Sequence, residues 1–216
     1  MLYNTVNDGL LKISGPDAKK LLQGQLTTDV NALVQNTSML SALCNREGRI
    51  ISLFRLFLHN DAYYLFMLKA MVPITIATLK KFAVFYKVAL DDASDELPTL
   101  AKAFPLEKYA DLQQKVPAIY PETSGKFLPH ELRLPELNAI SFDKGCFTGQ
   151  EIIARMHYKG KMKKQLITTT LETTETLLPG QDLFQGGVIV DVELKSKDNY
   201  NILLLIEDGN TAWQKN

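Results

Sequence analysis

Lys144-Gly145-Cys146-Phe147-Thr148-Gly149-Gln150-Glu151 is the densest run of chemistry in the chain, and its reading decides the fold. Thr148 and Glu151 stand at the spacing of a capping box, in which a hydroxyl and a carboxylate satisfy the first free amides of a helix. A helix is therefore expected to begin just after Thr148. Cys146 then sits just outside a helix N-terminus, where free amides and the helix dipole favour an anion, and Lys144 adds a positive charge two residues earlier. The expectation is a thiol biased toward thiolate, with Gly145 and Gly149 letting the backbone bend around it. The alternative is a cysteine that serves as a small buried hydrophobe, and Glu151 with Arg155 is equally the spacing of an ordinary helix ion pair.

Outward from this loop, residues 10–14 read as a strand, followed by Gly15 and Pro16 and a helix that carries Ala18, Leu21 and Leu22 and stops near Gly24. Apolar runs at 39–44 and 50–59 flank a polar stretch holding Arg46, Gly48 and Arg49, the pattern of a hairpin. A further strand at 62–68 and an amphipathic helix from Pro73 to about Phe85 make residues 1–90 an α+β unit. Residues 91–98 are acidic and poor in large apolar groups, which marks a boundary. The chain then passes Pro98, Pro105, Pro117 and Pro121, so residues 91–162 read as a middle connecting segment with one short helix, ending in the Cys146 loop and its helix. Runs at 165–171, 181–184, 187–194 and 201–207 alternate or are β-branched, which predicts a small antiparallel β unit over 163–216.

The 216 residues carry 24 Lys plus Arg against 24 Asp plus Glu, so no net field draws the whole molecule to nucleic acid or to an anionic membrane. RNA contact would have to come from a local cluster, and Lys159, Lys161, Lys163 and Lys164 with Tyr158 form one, although a solvated lysine-rich turn reads the same way. No apolar run reaches the roughly 18 residues of a membrane helix and no leader pattern opens the chain, so a cytoplasmic protein without membrane contact is expected. Cys44 and Cys146 are far apart and His59, His130 and His157 lack ligand spacing, so no metal site is expected.

Residues 144–151 resemble the K-G-C-[FY]-x-G-Q-E signature of the YgfZ family, relatives of the glycine-cleavage aminomethyltransferase, and the similarity continues through Ala154 and Arg155. Residues 23–30, 44–51, 81–88, 125–131 and 140–142 resemble the family's pattern in the expected order, so the likeness covers most of the chain up to about residue 165. The resemblance implies an α+β, aminomethyltransferase-like fold that binds a reduced folate such as tetrahydrofolate, with residues 91–162 a shortened form of the family's middle segment. It also implies a role in maintaining iron–sulfur enzymes, including one that methylthiolates transfer RNA, with those client enzymes as partners. Its signature cysteine and lysine fall on Cys146 and Lys144, and Gly145, Phe147, Thr148, Gly149, Gln150, Glu151 and Arg155 complete the motif.

Two departures narrow the implied chemistry. Aminomethyltransferase relatives place adjacent acidic residues on the strand after the hairpin turn, where this chain has Ser52 and Leu53, so proton transfer at folate nitrogen has no carboxylate there and aminomethyl transfer is not expected. The family's Glu-Ala-Gly element corresponds here to Gln113, Gln114 and Lys115, and an amide offers a pterin one acceptor and an unwanted donor. Tyr120, Phe127 and Phe147 are the aromatic candidates for a folate wall, and Arg46 and Arg49 for its glutamyl tail. A folate is expected to enter between the first unit and the Cys146 loop. The rival functions are a folate-dependent one-carbon transferase and an interaction module that has lost its ligand.

Overall fold

Alternate residues of the early strands face opposite ways, and in this protein both faces are covered. In the computed structural model, which describes residues 4–103, 108–210 and 212–213, β1 (Asp8–Ser14) sends Leu11 and Ile13 into one core and Leu10 into a second. β4 (Ala62–Leu68) does the same, with Tyr63, Leu65 and Met67 on one side and Tyr64 and Phe66 on the other. Burial on both faces is why these strands read as nearly unbroken apolar runs. Residues 1–3, where a leader would begin, and Pro105 of the connector lie outside the described residues.

The first sheet is antiparallel, with strand order β2-β3-β4-β1-β5, where β2 spans Ser38–Cys44, β3 Ile50–His59 and β5 Ala89–Asp92. Helices α1 (Ala18–Gln25) and α2 (Val72–Ala83) contribute Ala18, Leu22, Val72 and Leu79 to the larger core, and α3 (Leu97–Ala103) gives Leu97 and Leu100 to the smaller one. The acidic stretch read as a boundary thus begins inside β5, an edge strand paired through Leu11–Ser14 of β1. Its acids are tolerated because an edge strand turns half its surface to water.

Residues 108–149 contain no long helix or strand, yet Val116, Ile119, Phe127, Leu132, Leu134 and Ile140 are buried in the larger core. The segment is held by β3: Ile50 donates to the Phe127 carbonyl at 2.9 Å, Gly125 donates to Ile50 at 2.7 Å, and Ser124 Oγ donates to Ile51 at 2.8 Å.

After α4 (Gln150–Lys159) come β6 (Lys164–Glu172), β7 (Val188–Ser196) and β8 (Asn199–Glu207), an antiparallel sheet ordered β6-β8-β7. The stretch 181–184, expected as a strand, forms only an isolated bridge between Asp182 and Val188. β8 places Leu203 and Leu205 against the main core and Ile202, Leu204 and Ile206 in a core of its own. A bulge in β7 between Ile189 and Asp191 redirects the strand, and Asp191, 2% exposed, accepts from the Ala118 amide at 2.8 Å and from the Tyr120 hydroxyl at 2.6 Å. No helix among the described residues is long and apolar enough to cross a membrane.

Candidate functional site

A helix ends with carbonyls that have no partner, and the last turn of α1 and the residues just after it supply three. Lys144 takes them: its Nζ donates to the carbonyls of Gln23 at 2.7 Å, Leu26 at 2.7 Å and Thr28 at 2.8 Å. An ammonium has three N–H groups, and all are used. The side chain is only 8% exposed, Nζ lies 5.0 Å from the centre of the Phe147 ring, and burial lowers its pKa to about 8, with the charge of Asp29 opposing. Asp29 is itself ordered, accepting from the Asn31 amide at 3.0 Å and from Gln23 Nε2 at 2.9 Å, and these bonds hold its carboxyl below the usual range.

This geometry gives Lys144 a structural task besides the charge expected of it. Its ammonium anchors the loop to the end of α1, and its three N–H groups are taken by backbone carbonyls, so none is left to donate to the Cys146 sulfur. Cys146, two residues on, is exposed, whereas Cys44 is buried in β2 with its thiol pushed up to about 12 by desolvation.

The expected capping box is absent. Gly149, not Thr148, is the residue before α4, and Thr148 Oγ1 donates to Gln25 Oε1 at 2.9 Å while its amide donates to Gly24 at 3.2 Å. Gly149 has φ +84°, a left-handed conformation, and a Cβ there would lie 2.5 Å from the Asn45 carbonyl and 3.0 Å from Gly48 Cα. The hairpin turn and the start of α4 thus touch backbone to backbone. Gly145 has no such need, because a Cβ there would meet nothing within 4 Å. Gln150 opens α4, while Glu151 and Arg155 are both exposed and form no ion pair with each other among the described residues.

The same contact carries Arg46 and Arg49 to the motif: both are exposed, and Arg49 donates to the Lys126 carbonyl. Phe127 and Phe147 are 3% and 7% exposed and pack in the core, which removes them as ligand walls. Ser52 is buried with a hydroxyl that has no partner among the described residues.

Gln113 and Tyr120 line a cleft of about 320 Å³ together with Tyr109, Asp111, Asp191 and Glu193, among others. No residue of 144–151 borders it, so the structure brings Gln113 and Tyr120 together but keeps them apart from the Cys146 loop. Asp191 carries no motif, and Val190-Asp191-Val192-Glu193 alternates regularly, a pattern that puts the acid among residues expected to face water. Among the described residues, no three His, Cys, Asp or Glu side chains stand together as a metal would require.

An antiparallel α+β molecule of this plan has the aminomethyltransferase fold: the structure of glycine cleavage system aminomethyltransferase T from Bartonella henselae matches with a TM-score of 0.65 over 93% of this chain and 76% of that one, at 13% identity. No protein-family model matches the chain. Two relatives are described as tRNA-modifying protein YgfZ. One, from Photobacterium profundum, is 30% identical over 84% of this chain and 73% of its own; the other, from Aliivibrio fischeri, is 27% identical over 93% and 83%. The chain belongs to the YgfZ family.

Proposed function

We propose that this protein is a cytoplasmic folate-binding accessory factor that supports the assembly or repair of iron–sulfur enzymes, among them enzymes that modify transfer RNA, and that Cys146 is its working group. The observation that carries this reading is the support given to one exposed thiol. A buried ammonium with three carbonyl partners and a side-chain-free contact between two glycines hold a loop whose outward product is Cys146. Burying a charge is costly and is retained where the charge fixes one arrangement.

The folate occupies the cleft of Gln113 and Tyr120, where Tyr120 and Tyr109 offer aromatic surface and Asp111 and Glu193 offer acceptors for the donor edge of a pterin. Aminomethyl transfer is disfavoured by Ser52 and Leu53, which place a hydroxyl and an alkyl group where that chemistry needs carboxylates. The decisive experiment is calorimetric titration with tetrahydrofolate alongside recovery of an iron–sulfur tRNA-methylthiolating activity in cells lacking the protein. Cys146→Ser should abolish recovery and leave folate affinity unchanged. Tyr120→Ala should lower the affinity. Absence of any folate binding by the wild type would leave the interaction-module reading standing instead.

A further inference from the structure

The far end of α4 carries a surface that the folate cleft and the Cys146 loop do not use. Arg155, Lys159, Lys161 and Lys163 are all exposed, and among the described residues none of them has an ion-pair or side-chain hydrogen-bond partner. Lys164 differs, being paired with Glu131 at 3.3 Å. In the same turn His157 is exposed and stacks on Phe142, with ring centres 3.8 Å apart and 19° between planes. Tyr158 stands edge-on to both rings, 4.9 Å from His157 and 6.3 Å from Phe142, and is 70% exposed. Next to them Leu128, Met156 and Met162 floor a recess of about 250 Å³ whose rim holds Lys161 and Lys163, with Glu207 the one acid there not already paired.

Solubility explains lysines on a turn, and the helix dipole explains one cation at a helix C-terminus. Neither explains an ordered group of rings, one of them largely bare, amid unpaired positive charge. Flat exposed rings among cations are what unpaired bases and their phosphates recognise together. A membrane surface fits less well, because α4 presents Tyr158 but no broad apolar face: Ile153 is its one buried residue and Met162 is only 37% exposed.

We propose that this surface docks single-stranded RNA, with phosphates on Lys159, Lys161 and Lys163 and a base stacked on Tyr158, whose ring the stacked pair of His157 and Phe142 braces from the side. The proposal deepens the transfer-RNA part of the function given above and rests on that part alone. The test is fluorescence anisotropy of the full chain with a labelled single-stranded RNA of about 12 nucleotides. Lys161→Glu with Lys163→Glu should weaken binding about tenfold or more and flatten its salt dependence, since each lost phosphate contact removes about 0.7 from the log–log slope. Tyr158→Ala should weaken binding about fivefold or more with the slope intact, and Tyr158→Phe should restore it. These residues are exposed, so unchanged thermal melts will certify the fold. No binding by the wild type, equal binding of duplex RNA, or variants that bind like the wild type would each overturn the proposal. So would binding of phosphatidylglycerol vesicles, but not RNA, that depends on the same side chains. Tetrahydrofolate titration of the same variants keeps the two readings separate: it should be unaffected, and its failure would count against the folate cleft alone.

Discussion

Lys144 illustrates how a side chain can have a task that its neighbours in sequence do not show. Two positions from a thiol it reads as an electrostatic partner; in space it closes the end of α1. Lys144→Met should lower unfolding free energy by about 2–4 kcal/mol, because three buried carbonyls lose their donor, and Lys144→Arg should not rescue it, a planar guanidinium being unable to converge on three carbonyls around one point. Urea denaturation will measure both. The pH dependence has a defined sign. Burial lowers the folded pKa to about 8, below the usual 10.5, so between those values the unfolded chain holds more protons and stability contributed by this group rises with pH. Below about pH 8 both states are protonated and the penalty for burying the charge is fully present. The denaturation midpoint of the wild type should therefore climb relative to Lys144→Met across that window; a flat difference would remove the ammonium from its buried place. At Cys44 and Cys146 the expectation is simpler. One thiol should alkylate quickly in the native protein and two in urea, since Cys44 is buried and its thiol is pushed up to about 12. The signature made Cys146 legible, but nothing local in the sequence revealed that the partners of Lys144 lie more than a hundred positions away.

Among elements, the strands and helices of the first ninety residues were the most legible because their periodicity is long and their turns carry glycine or proline, as at Gly48 and Pro73. β5 was not, since two of its four residues are aspartate and its pairing with β1 is a tertiary choice. The start of α4 was mistaken by one residue, and the physical cause is Gly149: a residue at φ +84° cannot be the first residue of the helix, so Thr148 is left to bond Gln25. Gly149→Ala would meet both the left-handed backbone and the Asn45 carbonyl. It should cost about 2–4 kcal/mol and, by separating the hairpin turn from α4, should change the alkylation rate of Cys146 while leaving Cys44 protected. If stability is untouched, the backbone contact between the turn and α4 is not formed.

At the scale of the molecule, the second sheet is tied to the 108–149 segment by Asp191, a buried acid from β7 that holds the Ala118 amide and the Tyr120 hydroxyl, and that segment is in turn bonded to β3 of the first sheet. Asp191→Ala should destabilise the protein by about 2–4 kcal/mol and also reduce folate affinity; Asp191→Asn, which keeps one acceptor oxygen, should recover part of the stability. Gln113→Glu, by giving the cleft a charged acceptor at an exposed position, should strengthen tetrahydrofolate binding by about 1–3 kcal/mol in calorimetry, and no change would place the pterin away from Gln113. The antiparallel α+β class could be read from strand spacing, whereas the joint between the sheets could not, because it depends on a bulge that changes where one side chain points.

The bonds from Lys144 to Gln23, Leu26 and Thr28 span 121, 118 and 116 residues of chain. Contacts so remote in sequence close large loops and form late in folding. A chain emerging from the ribosome can therefore assemble its hairpin and shield Cys44 long before the anchor for Cys146 exists. Synthesis delivers the Cys146 loop after the five-stranded sheet and α1 that receive it, and before the sheet of β6, β7 and β8.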